Sequence, residues 1–175
     1  VLFRSAFASV SRNVTLTCSY ANPSSGTLPV RVASTALNAA GNAGAACDVG
    51  GKALSLAFDA NGTASTTLTY ADAGQVTLSA RYAGSAGTND IGLVLVGSDN
   101  FVATPTDFAV TGVPNSPMAA GSAFPVTVTA RNSAGSTTPN FGGESVAEGA
   151  VLAFARTQPT GSSAVDGSFS GTLGG

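Results

Sequence analysis

Cys18 and Cys47 are the two residues of this chain that could form a disulfide bond. They are the whole cysteine content of its 175 residues. An even cysteine count in a β-rich chain with little lysine fits an oxidising compartment. A Cys18–Cys47 disulfide would close a loop of about 30 residues and stabilise the fold by roughly 3–4 kcal/mol. Two free buried thiols are the alternative, and zinc is disfavoured because two cysteines without histidine supply too few ligands.

Catalytic chemistry has few candidates in this composition. The chain contains no histidine, so general acid–base work would depend on carboxylates or on Lys52. No Gly-x-Ser-x-Gly motif is present, and no histidine could activate a serine. Most carboxylates are expected in turns, where an aspartate accepts hydrogen bonds from its own backbone. We therefore predict no catalytic residues and no enzymatic activity, and the carboxylates concerned are Asp48, Asp59, Asp72, Asp90, Asp99, Asp107, Glu144, Glu148 and Asp166.

Calcium is the cofactor for which the sequence offers possible ligands. Asp59 with Asn61, or Asp90 with Asp99 and Asn100, could supply oxygen atoms at strand ends or between modules. No EF-hand spacing occurs, and turn chemistry explains these residues equally well. We predict no metal-binding residues, no cofactor-binding residues and no cofactor.

Glycan binding would need exposed aromatic rings, which are few here. The chain has no tryptophan. Tyr20, Tyr70 and Tyr82 all alternate onto the predicted core faces of their strands. Phe141, on a predicted turn, is the one aromatic residue that could be exposed, but core packing is the favoured role for all four rings.

The charge content limits the classes of partner. Charged residues make up 9% of the chain and its net charge is −2, which argues against nucleic acid and against an anionic membrane surface. No stretch approaches the roughly 18–20 apolar residues needed to span a bilayer, so we predict no membrane insertion. The chain begins with Val1 and ends on glycines, and we interpret it as the interior of a longer protein.

The cysteine, carboxylate and aromatic side chains discussed above must be positioned by the fold. Its clearest signal is three consecutive runs with apolar residues at every second position. They are Ala53–Phe58, Thr63–Tyr70 and Gln75–Tyr82, and they alternate apolar residues with Ser, Thr and other small residues. This period is typical of half-buried antiparallel strands. Because Asn61-Gly62 favours positive φ angles, we predict a tight hairpin between the first two runs.

Further strands with the same period complete a β-sandwich. Val14–Tyr20 carries Cys18 on its apolar face, Val30 and Val32 alternate with Arg31, and Ile91–Val96 continues past a predicted kink at Gly97 towards Val102. About seven strands in roughly 90 residues are typical of an immunoglobulin-like sandwich. The turn Asp72-Ala73-Gly74 resembles the E–F corner of such domains, although Val76 stands where the corner tyrosine would be.

The predicted architecture is all-β, with tandem immunoglobulin-like antiparallel β-sandwiches. Residues 1–103 form the first module, which contains Cys18 and Cys47. Residues 104–175 form a second, incomplete β-sandwich module, because some 70 residues are few for a whole sandwich. The strands that we predict in it are Asp107–Gly112, Phe124–Ala130, Ala150–Ala155 and Ser168–Leu173.

Three stretches carry a resemblance to a known family: Leu16–Arg31, Phe108–Pro114 and Val126–Gly142. They resemble the large extracellular domain of MshQ-like proteins, which belong to the mannose-sensitive haemagglutinin (MSHA) type IV pilus system. Asp59–Ala80 is also similar to bacterial immunoglobulin-like repeats of the invasin type. The resemblance implies a secreted or cell-surface protein of a Gram-negative bacterium, with no catalytic or binding residues to carry over. Its implied partners are other pilus components or host surface glycans or proteins.

The function predicted from these observations is that of a non-enzymatic cell-surface or pilus-associated protein. It would act as a spacer or adhesive module in MSHA-like pilus biogenesis or adhesion. The alternative is an accessory β-sandwich module of a larger secreted enzyme, whose catalytic residues would lie elsewhere.

Overall fold

The computed structural model describes residues 7–41, 46–153 and 155. Nine β-strands and two short 3-10 turns, Ala39–Gly41 and Ala86–Thr88, make up the regular structure of this part of the chain. The strands are β1 Ser11–Asn22, β2 Val30–Val32, β3 Thr35–Ala36, β4 Lys52–Ala57, β5 Leu68–Tyr70, β6 Gly74–Ala83, β7 Val94–Ala103, β8 Asp107–Thr111 and β9 Thr127–Arg131.

The first seven strands form two sheets that share one core. One sheet has the order β4-β1-β6-β7 and the other has the order β3-β2-β5. All of their pairings are antiparallel. The core cluster joins Val14, Leu16 and Val76 of the larger sheet to Val30 and Val32 of the smaller one. The predicted all-β antiparallel sandwich is therefore confirmed.

Alternating burial within the strands follows the sequence pattern. Val14, Leu16 and Cys18 of β1 are buried, whereas Arg31 of β2 is exposed between two buried valines. Burying alternate apolar side chains removes their surface from water, at about 25 cal/mol per Å². The period-two pattern therefore identified correctly which face of these strands packs inward.

The predicted hairpin at Asn61-Gly62 is wrong. Strand β4 pairs with β1, whereas β5 pairs with β2, so the chain crosses from one sheet to the other between them. Gly62 does adopt a positive φ of 78°, as expected for a turn. Of the predicted strand Thr63–Tyr70, only Leu68–Tyr70 enters a ladder. Period two reports that one face is buried, but it does not say which strand lies alongside.

Strand β7 also differs from its prediction. It begins at Val94, three residues later than expected, and continues to Ala103 without the predicted kink at Gly97. Its ladder with β6 runs from the pair Ala83–Val94 to the pair Gly74–Ala103 with no shift of register. Gly97 pairs with Ala80 of the long strand β6, so it stays extended within the ladder.

Beyond β7, strands β8 and β9 form a separate two-stranded antiparallel sheet. The predicted strand Phe124–Ala130 appears as Thr127–Arg131, and residues 150–153 form no strand. The predicted strand Ser168–Leu173 lies outside the described residues. The division into modules 1–103 and 104–175 stays a prediction. In the described ranges, no helix is long and apolar enough to cross a membrane.

Candidate functional site

A buried carboxylate at the turn between β5 and β6 is the centre of a polar site that joins distant segments of the described chain. Asp72 is only 2% exposed. Its Oδ1 atom accepts hydrogen bonds from the backbone N–H groups of Ala73 and Asn140, both at 2.8 Å. Its Oδ2 atom accepts a hydrogen bond from the hydroxyl of Thr27. A buried carboxylate without these donors would carry a large desolvation cost, so each donor stabilises the turn.

The second residue of this site, Asn140, lies 68 positions further along the chain. It is 6% exposed, and its Nδ2 atom donates to Ser25 O at 3.1 Å and to Tyr70 Oη at 3.2 Å. Asn140 therefore bonds the loop after β1 and the end of β5 as well as Asp72. We call Asp72, Thr27, Tyr70 and Asn140 the corner cluster.

Two further hydrogen bonds join the chain after β9 to the sandwich beside the corner cluster. Asn132 Nδ2 donates to Ala71 O at 2.8 Å, and the Ser145 N–H donates to Asn22 Oδ1 at 2.9 Å. Residues 132–145 are thus attached at several points to one end of the sandwich. A contact of this kind restricts the relative motion of the two parts, unlike a flexible linker.

Close backbone approach at this corner depends on a glycine. Gly74, two residues after Asp72, has a φ of 130°. A Cβ atom there would lie 2.8 Å from Asn22 O, closer than real Cβ atoms come to backbone. Only glycine adopts this conformation without strain.

Tyr70 of the corner cluster and the neighbouring Tyr20 both have raised pKa values. Burial is the main cause that raises the pKa of Tyr70, and the negative charge of Asp72 raises it further. Burial likewise raises the pKa of Tyr20. The Tyr20 hydroxyl accepts a hydrogen bond from Asn38 Nδ2 at 2.8 Å and donates to Leu28 O at 3.0 Å. These phenols act as hydrogen-bonding groups of the core, and their raised pKa values make them poor general bases.

The raised tyrosine pKa values predict a loss of stability in alkali. An unfolded tyrosine loses its proton near pH 10, whereas folded Tyr20 and Tyr70 keep theirs to higher pH. Between those values the folded state binds more protons than the unfolded state, so stability falls as pH rises. Urea unfolding at pH 8, 10 and 11 should show this fall, and the Tyr70→Phe variant should show a shallower one. An equal slope in both proteins would contradict this role of Tyr70.

Cys18 and Cys47 form a disulfide in the structure, with an S–S distance of 1.98 Å. Cys18 lies in the central strand β1 of the larger sheet, and Cys47 pairs through an isolated bridge with Asn38, just after β3 of the smaller sheet. The bond therefore connects strand β1 of the larger sheet to the loop that follows β3 of the smaller sheet. The alternative of two free thiols is absent from the structure, because no cysteine is free.

Two other carboxylates, those of Asp48 and Asp107, form ion pairs, and Asp166 lies outside the described residues. Asp48 accepts from the Gly50 N–H and forms a 2.7 Å salt bridge with Lys52. The hydrogen bond from Lys52 is the main cause that lowers the pKa of Asp48. Asp107 lies in β8, not in a turn, and Arg131 of β9 donates two hydrogen bonds to it at 2.9 Å. These hydrogen bonds are the main cause that lowers the pKa of Asp107.

The two calcium alternatives are not assembled as ligand sets. Asp59 Oδ1 accepts from the N–H groups of Asn61 and Thr63, which is a turn role. Asp90 accepts from the Tyr82 hydroxyl at 2.7 Å, whereas Asp99 accepts from its neighbour's N–H. The described residues contain no group of three or more His, Cys, Asp or Glu side chains that could hold a metal ion.

The aromatic residues are mostly placed as expected. Tyr82 is buried, and Tyr20 and Tyr70 are half-buried against the core cluster. Phe141 is half-buried, as favoured, because its ring packs edge-on against Phe108 at 5.4 Å between centroids. A ring placed in this way offers less surface for stacking on a sugar.

Sequence reasoning recognised the Asp72 turn but missed its partners. Thr27 and Asn140 come from a loop and from a segment 68 residues away, and neither shows a local motif for burial. The local sequence around Asn140, Pro139-Asn140-Phe141-Gly142, is typical of an ordinary turn. Only the folded arrangement brings these polar groups to one carboxylate.

The fold and this site define an immunoglobulin-like β-sandwich domain stabilised by one disulfide. A family model described as domain of unknown function (DUF6701), first Ig-like domain, matches residues 4–98, more than half of the chain. The chain therefore belongs to this family. No curated protein and no solved structure matches the chain.

Proposed function

We propose that this chain is a non-enzymatic spacer segment of a larger extracellular bacterial protein. The observation that carries the proposal is the corner cluster, which bonds residues 132–145 directly to the first sandwich. Asp72 and Asn140 make these bonds in buried surroundings, where water competes least. A segment fixed in this way transmits orientation from one part of a chain to the next, which a flexible linker cannot do.

An extracellular location is supported by the disulfide. Disulfides persist in secreted and surface proteins and are rare in the reducing cytosol. A small domain such as this one buries limited apolar surface, so the Cys18–Cys47 bond adds stability where chaperones are few.

The more specific proposal is a role in an MSHA-like type IV pilus system. It rests on the similarity of Leu16–Arg31, Phe108–Pro114 and Val126–Gly142 to MshQ-like proteins. In this role the domain contributes to pilus biogenesis or to adhesion, with other pilus components or host surface glycans or proteins as partners. The rigid attachment of residues 132–145 would hold an adhesive part at a set distance from the cell.

Deletion of the full-length gene in the source bacterium tests this proposal. Surface pili are counted by electron microscopy, and attachment to host cells and to glycan-coated surfaces is measured. Loss of pili, or normal pili with lost attachment, supports the proposal and separates assembly from adhesion. Complementation with the wild-type gene should restore the phenotype. No change in either measurement would contradict the proposal and favour the accessory module of a secreted enzyme.

A further inference from the structure

Strand β7 forms a long edge of the larger sheet. The sheet order β4-β1-β6-β7 places it last, and within the described part of the chain its ten residues pair only with β6. Half of the N–H and C=O groups of such a strand point away from its neighbour. No described strand pairs with them on that side. One backbone N–H, that of Asn100, is bonded by the Asp99 carboxylate at 2.8 Å.

This edge has few of the features that usually prevent pairing. Soluble proteins protect edge strands with lysine, proline, bulges or short length. Strand β7 contains no Lys, Arg or Pro, and Asp99 is its one charged residue. Its ladder with β6 has no bulge, in contrast to the register shift between β1 and β6. The opposite edge strand, β4, has six residues and begins at Lys52, which is paired with Asp48.

The edge is also apolar along much of its length. Four of its aliphatic side chains are at least 46% exposed, namely Val94 54%, Leu95 46%, Val96 76% and Val102 66%. An edge of this kind is suited to binding an extended strand. The added strand would form hydrogen bonds with the free backbone groups and bury the apolar side chains.

We propose that β7 binds β7 of a second copy of this chain in an antiparallel ladder centred on Ser98. Two copies related by a two-fold axis perpendicular to the sheet present the same edge to each other. In an antiparallel pair, directly opposite residues lie on the same face of the joined sheet. With this two-fold axis, the condition is met when one residue, the centre of the register, lies opposite the same residue of the second copy. The two registers centred nearest the middle of Val94–Ala103 place either Ser98 or Asp99 opposite its own copy.

Charge and side-chain size select the register centred on Ser98. Centring on Asp99 would bring two carboxylates directly opposite each other, which is destabilising. Centring on Ser98 places each Asp99 opposite Gly97 of the second copy, where no side chain competes for space. It also places Val94 opposite the second copy's Val102, an apolar cross-strand pair.

The size of this interface predicts a weak, reversible dimer. A ten-residue strand is about 33 Å long, and one sheet layer is roughly 10 Å thick. The contact is therefore well below the roughly 800 Å² per partner of a standard stable interface. We expect a dissociation constant of about 10⁻⁶–10⁻⁴ M, so that self-association becomes important where many copies are held close together.

Single-cysteine cross-linking tests the register. The wild-type chain has no free thiol, since Cys18 and Cys47 are bonded, so Ser98→Cys introduces one reactive group. A short bis-methanethiosulfonate reagent should convert S98C to covalent dimer. A mixture of Val96→Cys and Asn100→Cys should also cross-link, whereas each alone should not, because Val96 lies opposite Asn100 of the second copy.

Two controls keep the result specific. Ser55→Cys, an exposed serine on the β4 edge, should stay monomeric under the same conditions. Dimer formation by Asp99→Cys instead of S98C would overturn the proposed register. Equal cross-linking of S55C and S98C would overturn the proposal that β7 is the pairing edge.

Sedimentation measures the same association without cross-linking. The wild-type chain should show a concentration-dependent dimer, and Val96→Lys should weaken it at least about tenfold by adding edge charge. Because Val96 is 76% exposed, V96K should melt at the wild-type temperature. A wild-type chain that stays monomeric up to about 1 mM, above the range expected for an edge of this size, would overturn the proposal.

Discussion

Replacement of Asp72 by alanine is expected to lower the free energy of unfolding by about 3–5 kcal/mol. The change removes a buried acceptor and leaves the Ala73 N–H, the Asn140 N–H and the Thr27 hydroxyl without it. Each buried donor left unsatisfied costs roughly 1–3 kcal/mol. Urea unfolding of the D72A and wild-type proteins measures this difference directly.

Asp59→Ala is the matched control for D72A. Asp59 also accepts two backbone N–H groups, from Asn61 and Thr63, but it lies in an exposed turn. Water replaces the lost acceptor there, so we expect a loss of only about 1 kcal/mol. Similar losses for both variants would contradict a special role for the buried carboxylate.

The D72A variant should also loosen residues 132–145 from the sandwich. Hydrogen exchange of the Asn140 amide should become faster, since its acceptor is Asp72 Oδ1. The Val76 amide in β6 should change less, because it remains within the antiparallel ladders of the larger sheet. Unchanged exchange at Asn140 would mean that other contacts hold this segment in place.

Removal of the disulfide is expected to have an effect of similar size. In the Cys18→Ala, Cys47→Ala double variant, the free energy of unfolding should fall by about 3–4 kcal/mol on the chain-entropy model. The two cysteines are 29 residues apart, so the unfolded chain gains the freedom of that loop. Denaturant unfolding of oxidised wild type and of the double variant provides the comparison.

Two controls separate the bond from the packing of its sulfur atoms. Reduced wild-type protein keeps the cysteine side chains but lacks the bond, so most of the loss should already appear under reductant. The double variant should show no further response to reductant, because it has no thiol left. Equal stability of the oxidised and reduced wild type would contradict the expected contribution.

Much of the fold was predictable because burial and strand period are local properties. The alternation of Val14, Leu16 and Cys18 correctly indicated an inward face, and the sandwich contains seven strands, close to the predicted number. The bounds of β5 and β7 were predicted less well. Period two describes a half-buried face, whereas the ends of a strand depend on the strand beside it.

The pairing of strands was the part of the fold that local pattern misjudged. Asn61-Gly62 has the residues of a hairpin turn, yet β4 and β5 join different sheets. In a sandwich, a short connection can cross between sheets as readily as it reverses within one. Which sheet a strand joins depends on which neighbouring strands best bury its apolar side chains. These strands are distant in the sequence.

The sequence by itself determined that the chain is an all-β sandwich with little charge and one pair of cysteines. These properties follow from composition and from a two-residue period, which act over short stretches of chain. The tertiary structure alone decided that Asp72 is buried under Thr27 and Asn140, and that β7 is left as an edge. Both depend on contacts between segments far apart in the chain, where the desolvation of a carboxylate and the pairing of a strand are set by packing.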